Sequence, residues 1–313
     1  MKHLRNLADV QLDRPSVVAI GVFDGVHRGH QYLIAQQVQT AREQDALAVV
    51  LTLFPHPDRV LRRIRGPYYL TTPDERAALL GALGVDLVVT LAFDESLRRT
   101  RAAAFVDQLL ARLQMRELWV GPDFALGYKR EGDVAFLSAR GQEQGFAVRV
   151  VSMKQTRQGE TIRSSTIREA LYAGEVERAA RYLGRYYRVS GPVVKGAERG
   201  HSVGFPTANI DVWEERVVPA TGVYAGWAYL GSRRFAAATN VGVRPTFDDD
   251  SRQTVEAHLL DFEGDLYGQE LAFEFVGRLR GEQRFESIEA LRAQIARDVA
   301  RARALLGVAV GGS

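Results

Sequence analysis

The sequence predicts an α/β fold with a doubly wound parallel sheet, followed by an antiparallel six-stranded β-barrel covered by a C-terminal helix. Three observations lead there. Apolar runs of strand length alternate with helical patterns through the first half of the chain. Past Gly184 that rhythm stops, and short strands separated by turns follow. One amphipathic stretch then closes the chain. A length of 313 residues accommodates two cores, and the change of pattern puts the domain boundary between 1–184 and 185–313.

Val17–Ile20 is apolar at every position and reads as a strand buried on both faces. It runs into Gly21–His30, GVFDGVHRGH. Gly21 and Gly25 relax the backbone leaving the strand, and Gly29 permits close approach as a helix begins. His27 and His30 stand three apart, so on a helical first turn their imidazoles point the same way. Two ring donors beside free helix N–H groups make an anion site, suited to a nucleotide polyphosphate. Gln31–Glu43 follows as an amphipathic helix carrying Leu33, Ile34, Val38 and Ala41.

Ala46–Leu53, Asp86–Phe93, Glu117–Gly121 and Ala147–Ser152 supply further strands. Between them lie helices over Pro73–Leu83, capped by Thr72 with proline at its first position, over Ala102–Leu113, and over Val134–Gln144. Ligands of such sheets bind beyond the strand C-termini, where three more stretches sit. Phe54–Pro57 (FPHP) is a stiff turn displaying Phe54 and His56, equally readable as a turn with a buried ring. Gly121–Asp133 (GPDFALGYKREGD) is long enough to carry function. Ile162–Arg168 (IRSSTIR) opens a helix over Thr166–Ala173, where Ser164 or Ser165 caps free N–H groups or holds a phosphate, with Arg168 adding charge.

Glu175–Leu183 is a short helix stopped by Gly184. Strands then follow at Tyr186–Lys195, Phe205–Val212, Val223–Leu230, Arg234–Val241, Thr254–Leu260 and Leu271–Leu279. Gly204–Asn209 (GFPTAN) is the chemical centre of this half. Pro206 makes the strand irregular, and Thr207 and Asn209 share a face if extended. Hydroxyl and amide oxygens suit Mg²⁺ beside a phosphate. Glu256 faces opposite to Val255 and Ala257, as a solvent-facing strand glutamate also would. In the last helix Ile288, Leu291, Ile295, Val299 and Leu306 form one stripe toward the barrel.

Composition closes off several classes. The chain has no cysteine, which excludes disulfides, thiolate metal sites and cysteine nucleophiles. The net charge is +3 and the arginine runs are interleaved with carboxylates, unlike the basic stripe of a nucleic-acid binder. The first fifteen residues lack an apolar signal core, and no segment is long enough to span a bilayer. The expectation is a cytoplasmic protein acting on small molecules, with homo-oligomerisation left open.

The stretch Gly21–His30 resembles the H-x-G-H signature of α/β-phosphodiesterase nucleotidyltransferases. Its fuller form resembles the bacterial bifunctional riboflavin kinase/FMN adenylyltransferases. GPDFALGYKREG is similar to a loop of that family at Asp123, Phe124 and Arg130, with Leu126 in place of a second phenylalanine. IRSSTIR resembles its second nucleotide motif; anchored on Ile167–Arg168, Arg163 stands where a serine is usual and Ser165 where a threonine is. GFPTAN, KGAERGH, NVGVRPTF and VEAHLLDFEGDLYG follow in the order of the kinase half, so the resemblance covers nearly the whole chain.

The resemblance implies that riboflavin is phosphorylated to FMN in the second domain and FMN adenylylated to FAD in the first, both with ATP. It implies catalytic roles for His27, His30 and Glu256. Nucleotide contacts would come from Gly21, Phe23, Asp24, Gly29, Ser164, Ser165, Arg168, Gly196, Gly204, Thr207 and Asn209. Flavin contacts would come from Phe54, Pro55, His56, Pro57, Asp123, Phe124 and Arg244, and Mg²⁺ would sit on Thr207 and Asn209. A riboflavin kinase with a decayed first site, suggested by Arg163, is the alternative. Single-domain cytidylyltransferases and pantetheine-phosphate adenylyltransferases lack a PTAN barrel, and a class I aminoacyl-tRNA synthetase needs a Lys-rich signature that IRSSTIR lacks.

Overall fold

The computed structural model describes residues 1–152, 161–195, 205–244 and 252–309, with 244 and 252 described by backbone alone. In the first part the strands are β1 (Lys2–Leu4), β2 (Ser16–Ile20), β3 (Leu47–Phe54), β4 (Leu87–Ala92), β5 (Met115–Val120), the short ribbon β6 (Ala125–Leu126) and β7 (Gly132–Asp133), and β8 (Ala147–Val150). The helices are α1 (Arg28–Glu43), α2 (Pro57–Leu61), α3 (Pro73–Ala82), α4 (Glu95–Arg99), α5 (Ala102–Leu113) and α6 (Val134–Gln144). The sheet runs β1-β4-β3-β2-β5-β8, every pairing parallel.

Alternation along the strands explains both layers. Val18, Ile20, Val49, Leu51, Leu118 and Val120 face α5 and α6 through Phe105, Leu109, Leu113 and Leu137. Val17, Ala19, Ala48, Val50 and Val88 face α1 and α3 through Leu33, Ile34, Ala77 and Leu80. Central parallel strands covered on both sides have no solvent face, so they read as unbroken apolar runs. The chain steps from β2 to β3 and β4 in one direction and then crosses to β5 on the other side of β2. The β2–β5 edge is therefore the topological switch point, where such sheets open a crevice at their C-terminal ends.

The second part holds α7 (Ser164–Tyr172), α8 (Val176–Leu183), β9 (Tyr187–Val194), β10 (Ala208–Ile210), β11 (Gly222–Leu230), β12 (Arg233–Arg244), β13 (Arg252–Leu259), β14 (Glu270–Arg280) and α9 (Ile288–Leu306). The strands close a barrel in the order β10-β13-β12-β11-β14-β9, all antiparallel. Buried Tyr187, Val189, Tyr224, Ala237, Val241, Val255, Ala257, Leu271, Phe273 and Phe275 recur at every second position. Helix α9 covers the outer face of β11, β12 and β14 with Val299, Ala302 and Leu306 against Val223, Ala225, Ala238 and Leu279.

Two details differ from the sequence expectation. Ile288 is 65 % exposed and does not join the stripe on the barrel; the buried face of α9 is set lower, around Asp298 and Ala302. There Asp298 is held by Arg280 Nε at 2.8 Å and Gln294 Nε2 at 2.9 Å. Residues 2–4, left unassigned by pattern, form the edge strand beside β4.

By contact density the chain forms two units, residues 1–65 with 69–164, and 66–68 with 165–313. Helices α7 (from residue 165) and α8 belong with the barrel in this division, and α8 packs on β9 and β14.

Candidate functional site

The loop after β2 is tightly wound. Phe23 (φ 53°) and Val26 (φ 40°) join Gly25 (φ 78°) in left-handed backbone that side-chain-bearing residues seldom adopt. His27 is not in the first helical turn as its spacing suggested. It is the N-cap of α1, with φ −71° and ψ 171°, and its Nδ1 accepts the backbone N–H of His30 at 3.3 Å. That first-turn amide is thus already used, and an Nδ1 that accepts a hydrogen bond leaves the ring proton on Nε2. The two imidazoles stack, 3.6 Å between centroids and 18° between planes, and Phe23 packs edge-on to His30 at 5.1 Å.

His30 is well below the usual histidine range, chiefly because burial disfavours the cation, with His27 and Arg76 adding to the effect. It is therefore neutral at neutral pH. Its Nδ1 is buried with no hydrogen-bond partner among the described residues. A Cβ on Gly29 would meet the His27 ring at 3.1 Å, so glycine is what lets the cap ring fold over the helix start. Gly21 is similarly crowded by the Phe23 ring at 3.1 Å.

Asp24 was expected among the nucleotide contacts, yet its carboxylate is turned inward. It is 1 % exposed and accepts the N–H groups of Leu70 and Thr71 at 3.0–3.1 Å and the Thr71 hydroxyl at 3.2 Å. Arg76 Nη2 lies 3.5 Å away, both side chains fully buried, and Arg76 Nη1 donates to Thr52 Oγ1 at 3.1 Å. Ser164, at the start of α7, donates its hydroxyl to the Asp24 carbonyl at 2.9 Å. Asp24 thus ties the loop to residues 70–71, to Arg76 and to Ser164. Spacing alone does not show whether an aspartate in a glycine-rich loop turns inward or outward.

A cavity of about 560 Å³ opens at the C-terminal ends of β2, β3 and β4. Gly21, Leu51, Leu53 and Leu91 line its base, and His56, Pro57, Asp123 and Phe124 line its walls. Phe54 and Pro55 are not in its wall. Phe54 instead packs on Tyr69 at 5.3 Å, while His56 caps α2 by accepting the Asp58 N–H on Nδ1 at 3.0 Å. Leu61, Leu97 and Lys129 also line the cavity and were not anticipated. Leu61 and Leu97 lie on five-residue helices, too short for any period to show. The lining is mostly apolar with a few polar groups, as in sites for organic ligands.

In α7 the hydroxyls of Ser164, Ser165 and Thr166 occupy the first three positions, and Arg163 lies just before them, exposed. The helix start thus retains three hydroxyl residues. Arg168 is not a solvent-facing cation. It is 8 % exposed, donates from Nε to the Tyr68 carbonyl at 2.7 Å, and lies 3.9 Å over the Tyr68 ring.

In the barrel, Asn209 on β10 is directly opposite Glu256 on β13, and Glu256 is directly opposite Asn240 on β12. All three are partly exposed while their strand neighbours Ala208, Ile210, Val255, Ala257, Thr239 and Val241 are buried, so they form a row on the outer face. Thr207 immediately precedes β10. Beside it His258 is fixed by the Pro206 carbonyl at 2.8 Å and by the edge of Phe205. Gly196 and Gly204 lie outside the described residues, as does the side chain of Arg244.

Two family models match this chain: FAD synthetase over residues 9–166 and riboflavin kinase over residues 183–306. A bifunctional riboflavin kinase/FMN adenylyltransferase of Pseudomonas fluorescens is 40 % identical over 307 residues, covering 97 % of this chain and 98 % of the relative. One of the same description from Listeria monocytogenes is 37 % identical, covering 95 % and 94 %. A crystal structure from Streptococcus pneumoniae, described as a macrolide-efflux protein, superimposes with a TM-score of 0.86 at 28 % identity, over 96 % of this chain and 98 % of the other. Among the described residues no helix is long and apolar enough to cross a membrane.

Proposed function

Because this chain belongs to the family of bifunctional riboflavin kinase/FMN adenylyltransferases, we propose how its residues divide and run the two reactions. The protein phosphorylates riboflavin to FMN with ATP and adenylylates FMN to FAD with a second ATP, releasing pyrophosphate. We assign adenylylation to residues 1–184 and phosphorylation to 185–313. The enzyme is read as cytoplasmic, acting on riboflavin, FMN and ATP rather than on nucleic acid or a membrane, with oligomerisation left open.

In the kinase half, the 5′-hydroxyl of riboflavin attacks the γ-phosphorus of ATP and ADP leaves. Such transfer is mostly positioning and charge neutralisation. Glu256 accepts the hydroxyl proton as a carboxylate base. Thr207 and Asn209 offer a hydroxyl and an amide oxygen one strand from Glu256, an oxygen donor set that fits Mg²⁺. When bound, Mg²⁺ supplies charge for the phosphates. Gly196 and Gly204 are assigned to the nucleotide by resemblance alone, and so is Arg244 to the flavin.

In the adenylylation half, the FMN phosphate attacks the α-phosphorus of ATP. It is already anionic, so no general base is required. The observation that supports this placement is the apolar cavity between His56–Pro57 and Asp123–Phe124, adjoining Gly21. It suits the isoalloxazine, and Gly21 and Val22 in its lining begin the loop that carries the histidine pair. Neutral His30 contributes a hydrogen-bond donor rather than a charge, and His27 donates from Nε2. Asp24 and Phe23 act by shaping the loop. Ser164 and Ser165 are assigned to the ATP phosphates, and Arg168 is carried over with them by resemblance.

Time-resolved chromatography of riboflavin, ATP and Mg²⁺ with the purified protein tests the whole scheme. FMN appearing and then converting to FAD is the expected course. FMN accumulating without FAD would leave a kinase alone, and neither product would end the reading.

A further inference from the structure

The row Asn209–Glu256–Asn240 has a direction. Asn209 and Thr207 belong to the PTAN side, one strand from Glu256, and Asn240 lies one strand away on the opposite side. With strands about 4.8 Å apart, the row spans about 10 Å. A base that takes a proton from the attacking hydroxyl stands between phosphoryl donor and acceptor. With the nucleotide on the β10 side, the acceptor alcohol belongs on the β12 side.

That side is not a plain strand surface. Gly242 is opposite Thr254, one step along from the Asn240–Glu256 pair. A Cβ placed on Gly242 would meet Asn240 Nδ2 at 3.2 Å, Thr254 Oγ1 at 3.3 Å and Glu282 Oε1 at 3.8 Å. Three polar atoms from β12, β13 and the segment after β14 thus converge on the space that glycine leaves. Together they offer amide donors, a hydroxyl that can donate or accept, and a carboxylate that accepts. A phosphate would be repelled by Glu282, and an apolar ring would strip water from all three without replacing it. A chain of neutral hydroxyls satisfies the set.

We propose that Asn240, Thr254 and Glu282 form a subsite that reads the secondary hydroxyls of the substrate's ribityl chain, with Gly242 kept small to admit it. The subsite selects a polyol and aligns its terminal hydroxyl with Glu256. This rests on the reading of Glu256 as the kinase base.

The test compares riboflavin with a flavin bearing a 5-hydroxypentyl chain on N10, which keeps the reacting hydroxyl and lacks the three secondary ones. In the full-length protein, Thr254→Val and Glu282→Gln should each lower kcat/KM for riboflavin by about tenfold, the scale of one lost hydrogen bond. The same variants should leave kcat/KM for the hydroxypentyl flavin within about twofold of the parent. Equal losses on both substrates, or none on riboflavin, would overturn the subsite. A thermal unfolding profile of the full-length protein that matches the parent reports that the barrel of each variant is folded. Glu256→Gln separates the underlying assumption: it should abolish phosphorylation of both substrates, and if it does not, the base assignment fails independently of the subsite.

Discussion

His27 and His30 lie face to face with 3.6 Å between ring centroids, one capping the helix to which the other belongs. Their contact depends on an N-cap geometry that aims the first ring back over the helix start, where it accepts the amide of the second. Removal of His30 is expected to abolish FAD formation, or cut it by about 10²–10³, the usual cost of one donor at a developing charge. Riboflavin phosphorylation should persist in His30→Ala. A variant that makes FAD at the parent rate would refute the placement of the first site.

The His30 ring also sets a pH signature. Its folded pKa is depressed well below the ordinary value near 6.5, through burial and then His27 and Arg76. As pH falls below about 6.5 the unfolded chain takes up the proton first, so stability is complete above that value and drains away below it. Thermal unfolding of His30→Gln between pH 7 and 5 should therefore fall less steeply than that of the parent. Parallel slopes would show that His30 is not held neutral.

Asp24→Ala removes the acceptor of two backbone N–H groups and a hydroxyl, and leaves the buried Arg76 cation without its carboxylate. Breaking a buried pair typically costs about 3–5 kcal/mol. A lowered unfolding midpoint with loss of FAD synthesis is expected in calorimetry and activity assays. Unchanged stability would mean that the Asp24 hub does not hold the loop.

Gly29→Ala should separate stability from activity. The position is the second residue of α1, where alanine is at least as good a helix former as glycine. The added methyl would press on the His27 ring at 3.1–3.2 Å. Adenylylation is expected to drop on the order of tenfold through the displaced ring, while the unfolding midpoint holds or rises. An undiminished rate of FAD formation would show that the ring stack is dispensable.

Much of this architecture is legible locally. The unbroken apolar runs of β2 and β3 exist because both sheet faces are covered, and the alternation in β13 exists because one face meets the barrel interior. What escaped is short or shared between conformations. Strand β1 and helices α2 and α4 have three to five residues, less than a readable period. A histidine three residues before another can be an N-cap or a first-turn residue, and the spacing is identical. Ile288 continues the stripe of its helix, but its turn is not covered by the barrel.

The sequence by itself determined the two classes of fold, the turn from parallel to antiparallel structure, and the stretches that carry the chemistry. All of these follow from periods and residue types within a few positions of one another. Only the tertiary structure decided that Asp24 faces inward, that the ends of β2, β3 and β4 meet at one cavity, and that Asn209, Glu256 and Asn240 stand in one row. These relations join residues about 15 to 100 positions apart, and a strand's register is set by which buried face it presents to its partner rather than by its own composition.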